Sequence, residues 1–178
     1  LYRAEIGAEG AGLATLGAHE VASELSYMLT ASPPDATLAA RADDGSILEA
    51  ATLEAEARRL LATDAARPAI VRFFVQWLDL DRLATVPKDA STYPELDAAL
   101  RTSMRRETEA FVEHVVFDGA GTLEALLDSA ETFVDARLAA HYGVASAASG
   151  DAMTAVTMPP GTHRGLLSHA SVLTVHAR

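Results

Sequence analysis

The sequence predicts an all-α fold, an irregular multi-helix bundle of about six to eight helices, and three observations support this prediction. Apolar residues recur at spacings of three and four in several segments, which places them on one face of a helix. The same segments are rich in strong helix formers such as Ala, Leu, Glu and Arg. No run of alternating apolar and polar residues is long enough to indicate a sheet.

The first four helices are predicted in the N-terminal half of the chain. The stretch AHEVASELSYMLT follows a Gly- and Ala-rich arm. The next helix has Ser32 as its N-cap, the prolines after Ser32 in its first turn and Gly45 at its end. LEAATLEAEARRLLATD and RPAIVRFFVQWLDLDRL follow. The fourth helix is the most apolar and carries Trp77. A Trp in such a stripe is expected in the core, and stacking on a ligand is the alternative.

Three further helices are predicted from residue 94 onward. PELDAALRTSMRRETEAFVEHVVFDG is long, TLEALLDS is short, and TFVDARLAAHYG ends at Gly143, where a left-handed residue closes a helix. The stretch AMTAVTM is the one short extended piece expected. The predicted core consists of Leu25, Ile70, Phe73, Phe74, Trp77, Leu100, Met104, Phe111 and Leu138.

The domain organisation predicted from these segments has four parts. An N-terminal arm covers 1–17, a helical subdomain 18–63, a central helical module 64–144, and a loop with the start of the next module 145–178. Because the first residue is Leu1 and no signal peptide is visible, we expect a piece of a longer protein.

Composition argues against several classes of function. The net charge is −11 and the pI is about 4.8, which disfavours binding to nucleic acid or to anionic lipid. No apolar run approaches the length of a membrane span, so we expect no membrane insertion by this segment. The absence of cysteine excludes disulfides, Cys-ligated zinc and covalent haem within these residues.

Glu107 is the most unusual residue by position, because it lies inside the apolar stripe of the long helix. His114 lies two turns further along the same side, so the pair could begin a metal site, as in a metal enzyme. No Glu-x-x-His pair is present, however, and we instead expect Glu107 to be buried and paired with Arg72 or Arg137, or with a Tyr or the backbone. No metal is expected.

The C-terminal stretch HRGLLSHASVLTVHAR contains three of the six histidines. If it is helical, His169 and His176 share a face but lie roughly 10 Å apart, too far for one ion. We therefore expect His163, His169 and His176 to lie partly exposed at a module boundary, without a ligand. His141 is expected to cap a helix. Ser168 beside His169 forms no nucleophile elbow, so no catalytic residue is assigned.

Seven stretches occur in an order that resembles a family of bacterial envelope proteins. They are LYRAEIG, ELSYMLTASPPDATLAARADDGSI, EARRLLATDAA, FFVQWLDLDRL, YPELDAALRTSMRRETEAF, TFVDARLAAHYGV and HRGLLSHASVLTV. The resemblance is to domain of unknown function (DUF) 1592, with parts of its DUF1595-like and DUF1588-like neighbours on either side.

The resemblance implies an exported protein, periplasmic or in the cell envelope, whose members often carry a Cys-x-x-Cys-His haem motif downstream. It implies no cofactor in these 178 residues and haem c in the full-length protein. The predicted function is a non-catalytic helical scaffold in a haem-c-associated electron-transfer or oxidoreductase protein, with adjacent domains of the same polypeptide as partners. The alternative is an envelope interaction module that recognises a protein or a glycan and has no redox role.

Overall fold

The computed structural model describes residues 15–146 and 148–177, so most of the predicted N-terminal arm lies outside the described residues. Helices of all kinds make up more than half of the described residues, and the described strands form a single two-stranded sheet. The fold is therefore predominantly helical, and the all-α prediction needs this one correction. The chain divides into two compact units, 1–70 and 71–178, each with its own core.

The described part of the first unit is built mainly from three helices. Helices α1 (Ala18–Thr30), α2 (Ala36–Asp43) and α3 (Ala50–Leu61) pack around a core whose buried members include Leu25, Leu38, Ile47 and Leu60. A 3-10 turn, Ser46–Leu48, joins α2 to α3. Helix α4 (Ala66–Trp77) contains the point at which the chain divides.

Asp35, rather than the predicted Ser32, is the N-cap of α2. Its Oδ1 accepts a hydrogen bond from the Leu38 backbone N–H at 2.9 Å, and Arg59 donates to both of its carboxylate oxygens. Asp ranks with Ser as a preferred cap, and here the guanidinium of Arg59 gives it a second role that joins α2 to α3.

The second unit surrounds the long helix α5 (Ala98–Glu113), which continues as a π-helical turn, His114–Asp118. The other elements are a 3-10 segment Leu80–Ala84, α6 (Leu123–Asp128), β1 (Glu131–Val134), α7 (Ala136–Tyr142), β2 (Thr154–Thr157), a 3-10 turn Leu166–Ser168, and α8 (Ala170–His176). The core contains Leu80, Leu100, Met104, Phe111, Val112, Leu138 and Leu166, each at most 2% exposed.

The predicted helix TFVDARLAAHYG is wrong in its first part. Residues 131–134 form β1, which pairs antiparallel with β2 in the register Glu131↔Thr157. Helix α7 begins only after Asp135, whose side chain accepts from the Leu138 N–H at 2.8 Å. The β-branched and aromatic residues Thr132, Phe133 and Val134 favour a strand, and the Asp cap marks the true helix start. The extended piece predicted at AMTAVTM is confirmed as β2.

The predicted burial of two aromatic residues is wrong. Phe73 is 56% exposed and Trp77 is 60% exposed, while Ile70 and Phe74 are partly buried. The residues of α4 that pack into the second core are instead Val71, Phe74 and Val75, together with Leu78 directly after the helix. The predicted core residues Leu25, Leu100, Met104, Phe111 and Leu138 are confirmed as buried.

Candidate functional site

A buried polar centre lies in the second unit and is organised around Glu107. Helix α5 carries Glu107 on its apolar face, where its side chain is fully buried. Its Oε1 accepts a hydrogen bond from the Thr132 hydroxyl of β1 at 2.8 Å, and its Oε2 accepts from the Tyr142 hydroxyl at the end of α7 at 2.7 Å. The carboxyl group therefore joins three elements.

Two histidines of the C-terminal segment complete the centre. His163 precedes the Gly165 turn, and His169 occupies the N-cap position of α8. Their rings stack, with centroids 5.2 Å apart and planes 20° apart, and they are 5% and 0% exposed. The His169 ring also meets the edge of Phe111 at 4.7 Å, while His163 packs against Tyr142. The turn at Gly165 brings the two imidazoles together, since they would not face each other on one helix.

Hydroxyl groups connect the centre to its surroundings. His169 Nδ1 lies 3.0 Å from Thr108 Oγ1, which is 2.6 Å from Ser171 Oγ. The Tyr142 oxygen accepts a hydrogen bond from the Ala170 backbone N–H at 2.9 Å. In contrast, the Nε2 atoms of His163 and His169 are buried without a hydrogen-bond partner.

Burial favours the uncharged form of each ionisable side chain in the centre. Desolvation raises the pKa of Glu107 to about 8, against the opposing effect of the Tyr142 and Thr132 hydroxyls. Desolvation, helped by His163, lowers the pKa of His169 to about 3, and it also lowers the pKa of His163. Burial and the adjacent Glu107 raise the pKa of Tyr142 above its ordinary value.

The structure separates the residues that the sequence had grouped. The predicted burial of Glu107 with a Tyr partner is confirmed, whereas neither Arg72 nor Arg137 is that partner, and Arg137 instead pairs with Asp97 at 3.4 Å. His114 is not part of the centre, because its half-exposed ring pairs with Glu131 at 3.2 Å.

The expectation that His163 and His169 lie partly exposed is wrong. It treated the segment as one continuous helix, although a 3-10 turn and the break at His169 interrupt it. Of these three histidines only His176 is exposed, and its Nε2 lies 3.0 Å from the Leu78 carbonyl oxygen. A sequence feature that could have revealed this is Gly165, which lies between the two histidines in an apolar stretch. Such a glycine indicates a sharp turn, and the apolar stretch indicates that the residues on either side of the turn are buried.

The three residues together form a set of potential metal ligands. One ligand atom from each of Glu107, His163 and His169 lies within 4.8 Å of the others. This juxtaposition was not expected from the sequence, because a single continuous helix would keep the two histidines apart.

Solvent reaches the protein at other places. Four clefts in the described part of the chain have volumes between about 170 and 680 Å³, and none is lined by a residue of the polar centre. The smallest of these clefts is bounded by Met104, Leu96 and Leu173, and Met104 lies one turn of α5 from Glu107. The polar centre is therefore closed off from these clefts.

An exposed aromatic pair lies on α4, outside the polar centre. The rings of Phe73 and Trp77 stack with centroids 6.2 Å apart and planes 11° apart, and Phe74 meets both rings edge-on. Trp77 is the single Trp of the chain.

Fold and site together define a predominantly helical domain of two units, with a closed Glu-His-His centre in the second. No helix of the described residues is long and apolar enough to cross a membrane. The chain belongs to the family described as "Protein of unknown function (DUF1592)", whose family model matches residues 16–144. No curated protein and no solved structure matches the chain. The family match includes Glu107 and ends before His163 and His169.

Proposed function

We propose that this domain is a non-catalytic helical scaffold within a larger exported bacterial protein, associated with haem c and acting in electron transfer or as an oxidoreductase. The observation that carries the scaffold role is the closure of the polar centre, whose three residues are at most 5% exposed. A catalytic group must reach its substrate, and ligand sites are normally open clefts. A closed centre that joins α5, β1, α7 and the C-terminal segment suits stabilisation of the fold.

Family resemblance supports the remaining parts of this proposal. The stretches LYRAEIG and HRGLLSHASVLTV lie outside the 16–144 match, and they resemble parts of the DUF1595-like and DUF1588-like neighbours of the family. Relatives with this order of modules are exported and often carry a downstream Cys-x-x-Cys-His haem motif. We therefore place the protein in the periplasm or cell envelope, with adjacent domains of its own polypeptide as partners.

The test is an absorption spectrum of the full-length protein, produced with the haem-maturation machinery and exported. We expect a Soret band and a c-type pyridine haemochrome spectrum in the purified protein. A full-length protein without covalent haem would overturn the haem-associated role and leave the scaffold role to be judged on the closed centre.

The second candidate is an envelope interaction module, and the stacked pair Phe73 and Trp77 favours it. A flat exposed aromatic surface suits the apolar face of a sugar ring or a side chain of a protein partner. Because Trp77 is the single Trp, its fluorescence reports directly on this surface. Titration with peptidoglycan fragments should then change the Trp emission of the unaltered chain and leave that of Phe73→Ala unchanged. An unchanged emission in both proteins would argue against glycan recognition here.

A further inference from the structure

The polar centre contains two atoms that its own hydrogen bonds leave unsatisfied. The Nε2 atoms of His163 and His169 are buried, and no hydrogen-bond partner lies within reach of either. Buried polar atoms without a partner are rare in folded proteins, and each calls for a specific cause such as a bound ion. A ligand nitrogen of one ring lies within 4.8 Å of a ligand nitrogen of the other, which is close enough for one bound species to contact both rings.

The third member of the centre has no charged partner. The hydrogen bonds to Glu107 come from the hydroxyls of Thr132 and Tyr142, neither of which is charged. A carboxyl group buried in this way ionises readily only beside a cation or as a metal ligand. The two imidazoles beside it are suitable neighbours for a cation, because each has a buried nitrogen without a hydrogen-bond partner.

The spacing of the three side chains suits one ion. One ligand atom from each residue lies within 4.8 Å of the other two. Zinc binds histidine nitrogen and carboxylate oxygen at about 2.0–2.2 Å, which places its ligands roughly 3–4 Å apart. Small rotations of these side chains therefore close the centre around an ion.

The groups behind the ligands have the arrangement that supports metal binding. A histidine ligand usually donates its second ring N–H to an oxygen, which fixes the tautomer and aims the other nitrogen at the metal. His169 Nδ1 lies 3.0 Å from Thr108 Oγ1, so its Nε2 is the nitrogen left for an ion. The hydroxyls on Glu107 hold its carboxylate in the same way.

We propose that Glu107, His163 and His169 bind one divalent transition-metal ion, with zinc as the preferred metal. Two imidazole nitrogens and one carboxylate oxygen form a borderline donor set of the kind that zinc favours among the abundant divalent ions. Three protein ligands leave one coordination position, which such centres fill with water. The metal would link α5 to the C-terminal segment and stabilise their packing, whether or not the full-length protein carries haem.

The first test is a calorimetric titration of the chelator-treated chain with zinc chloride. We expect one zinc ion per chain, bound with micromolar or tighter affinity. Glu107→Gln and His163→Gln should each weaken binding at least tenfold, because each removes one of three ligands. The matched control is His19→Gln, which removes a histidine that is 72% exposed and lies in the first unit. The control should bind zinc as the unaltered chain does.

A second measurement uses the unaltered chain and does not depend on the folding of a variant. In nitrogen-15 spectra of the histidine rings, zinc should shift the Nε2 resonances of His163 and His169 and leave His19 and His176 unchanged. Failure to bind zinc at micromolar concentration would overturn the proposal. It would also be overturned by binding that survives both ligand substitutions in folded protein, or by shifts confined to the other histidines.

Discussion

At the residue scale, the polar centre combines Glu107 of a regular helix with two histidines of an irregular segment. The place of Glu107 in the apolar stripe of α5 follows from helical spacing alone. His163 and His169 lie where a 3-10 turn and a cap interrupt periodicity. Their burial depends on packing against Tyr142 and Phe111, which are distant in sequence.

The charge state of Glu107 predicts how stability depends on pH in metal-free protein. Its pKa is about 8 in the folded chain against 4.5 as its ordinary value, so this residue stabilises the fold below pH 4.5 and that contribution is lost as pH rises through 8. His169, with a pKa near 3 against 6.5, acts in the opposite direction and adds stability from pH 3 up to 6.5.

Net stability should therefore fall between pH 6.5 and 8, by about 1.4 kcal/mol for each unit over which Glu107 alone titrates. Urea denaturation in the presence of a chelator measures this. Glu107→Gln cannot titrate and should lose the decline. A parallel decline in both proteins would show that another group is responsible.

Substitutions at Glu107 should also separate hydrogen bonding from burial. Glu107→Gln retains an amide that can bond the Thr132 and Tyr142 hydroxyls, whereas Glu107→Leu leaves both hydroxyl groups without an acceptor for their hydrogen. Each buried donor that loses its acceptor costs about 1–3 kcal/mol. We expect the Leu variant to be less stable than the Gln variant by about 2–6 kcal/mol for the two hydroxyls together, measured by denaturation at pH 6. Equal stability would mean that water replaces the lost bonds.

At the scale of elements, the predicted helices α1, α3, α5 and α6 agree with the structure, and the errors occur where a local signal competes with periodicity. Residues TFV of β1 have strand propensity and precede the Asp135 cap. Because they adjoin a helical pattern, the prediction included them in the helix. In α4 the spacing of Phe73 and Trp77 resembles a core face, but a helix with apolar residues around much of its circumference has several candidate faces. Packing partners select among them, and the sequence of one helix does not specify those partners.

The exposure of Trp77 predicts a small effect of its removal. Trp77→Ala should cost less than about 1 kcal/mol of unfolding free energy, because a surface side chain contributes little packing. Phe111→Ala is the matched aromatic control, and it should cost about 3–5 kcal/mol because Phe111 is 1% exposed. Chemical denaturation of both variants checks the contrast. A loss for Trp77→Ala as large as that for Phe111→Ala would place the indole in a core.

The turn that brings the two histidines together depends on Gly165. Its φ of 57° and ψ of −173° lie in a region that is essentially restricted to glycine, and a Cβ would collide with the Leu127 backbone. Gly165→Ala should therefore destabilise the chain by more than the roughly 1–3 kcal/mol that such strain alone costs. Gly143→Ala is the control, since its φ is also positive but a Cβ there meets open space. Equal losses in the two variants would contradict this account.

At the scale of the whole molecule, the chain consists of two cores that use different residues. The boundary falls inside α4, between Ile70 and Val71, and no break in composition marks it. Successive turns of a single helix can pack into two different cores. A sequence pattern that is apolar along the whole helix does not show where one core ends and the other begins. The existence of a helical fold was therefore predictable, but the assignment of α4 to two units was not.

This organisation predicts that the second unit folds without the first. Its core residues run from Val75 to Val175, and the polar centre also lies entirely within it. A chain of residues 66–178, which keeps α4 intact, is long enough to bury a core of its own. It should unfold in one cooperative transition by circular dichroism, and zinc should raise its melting temperature by as much as in the full chain. The Glu107→Gln form of the same piece should melt cooperatively but without the zinc-dependent rise. A piece that shows no cooperative transition, with or without zinc, would demonstrate that the first unit is required for the second to fold.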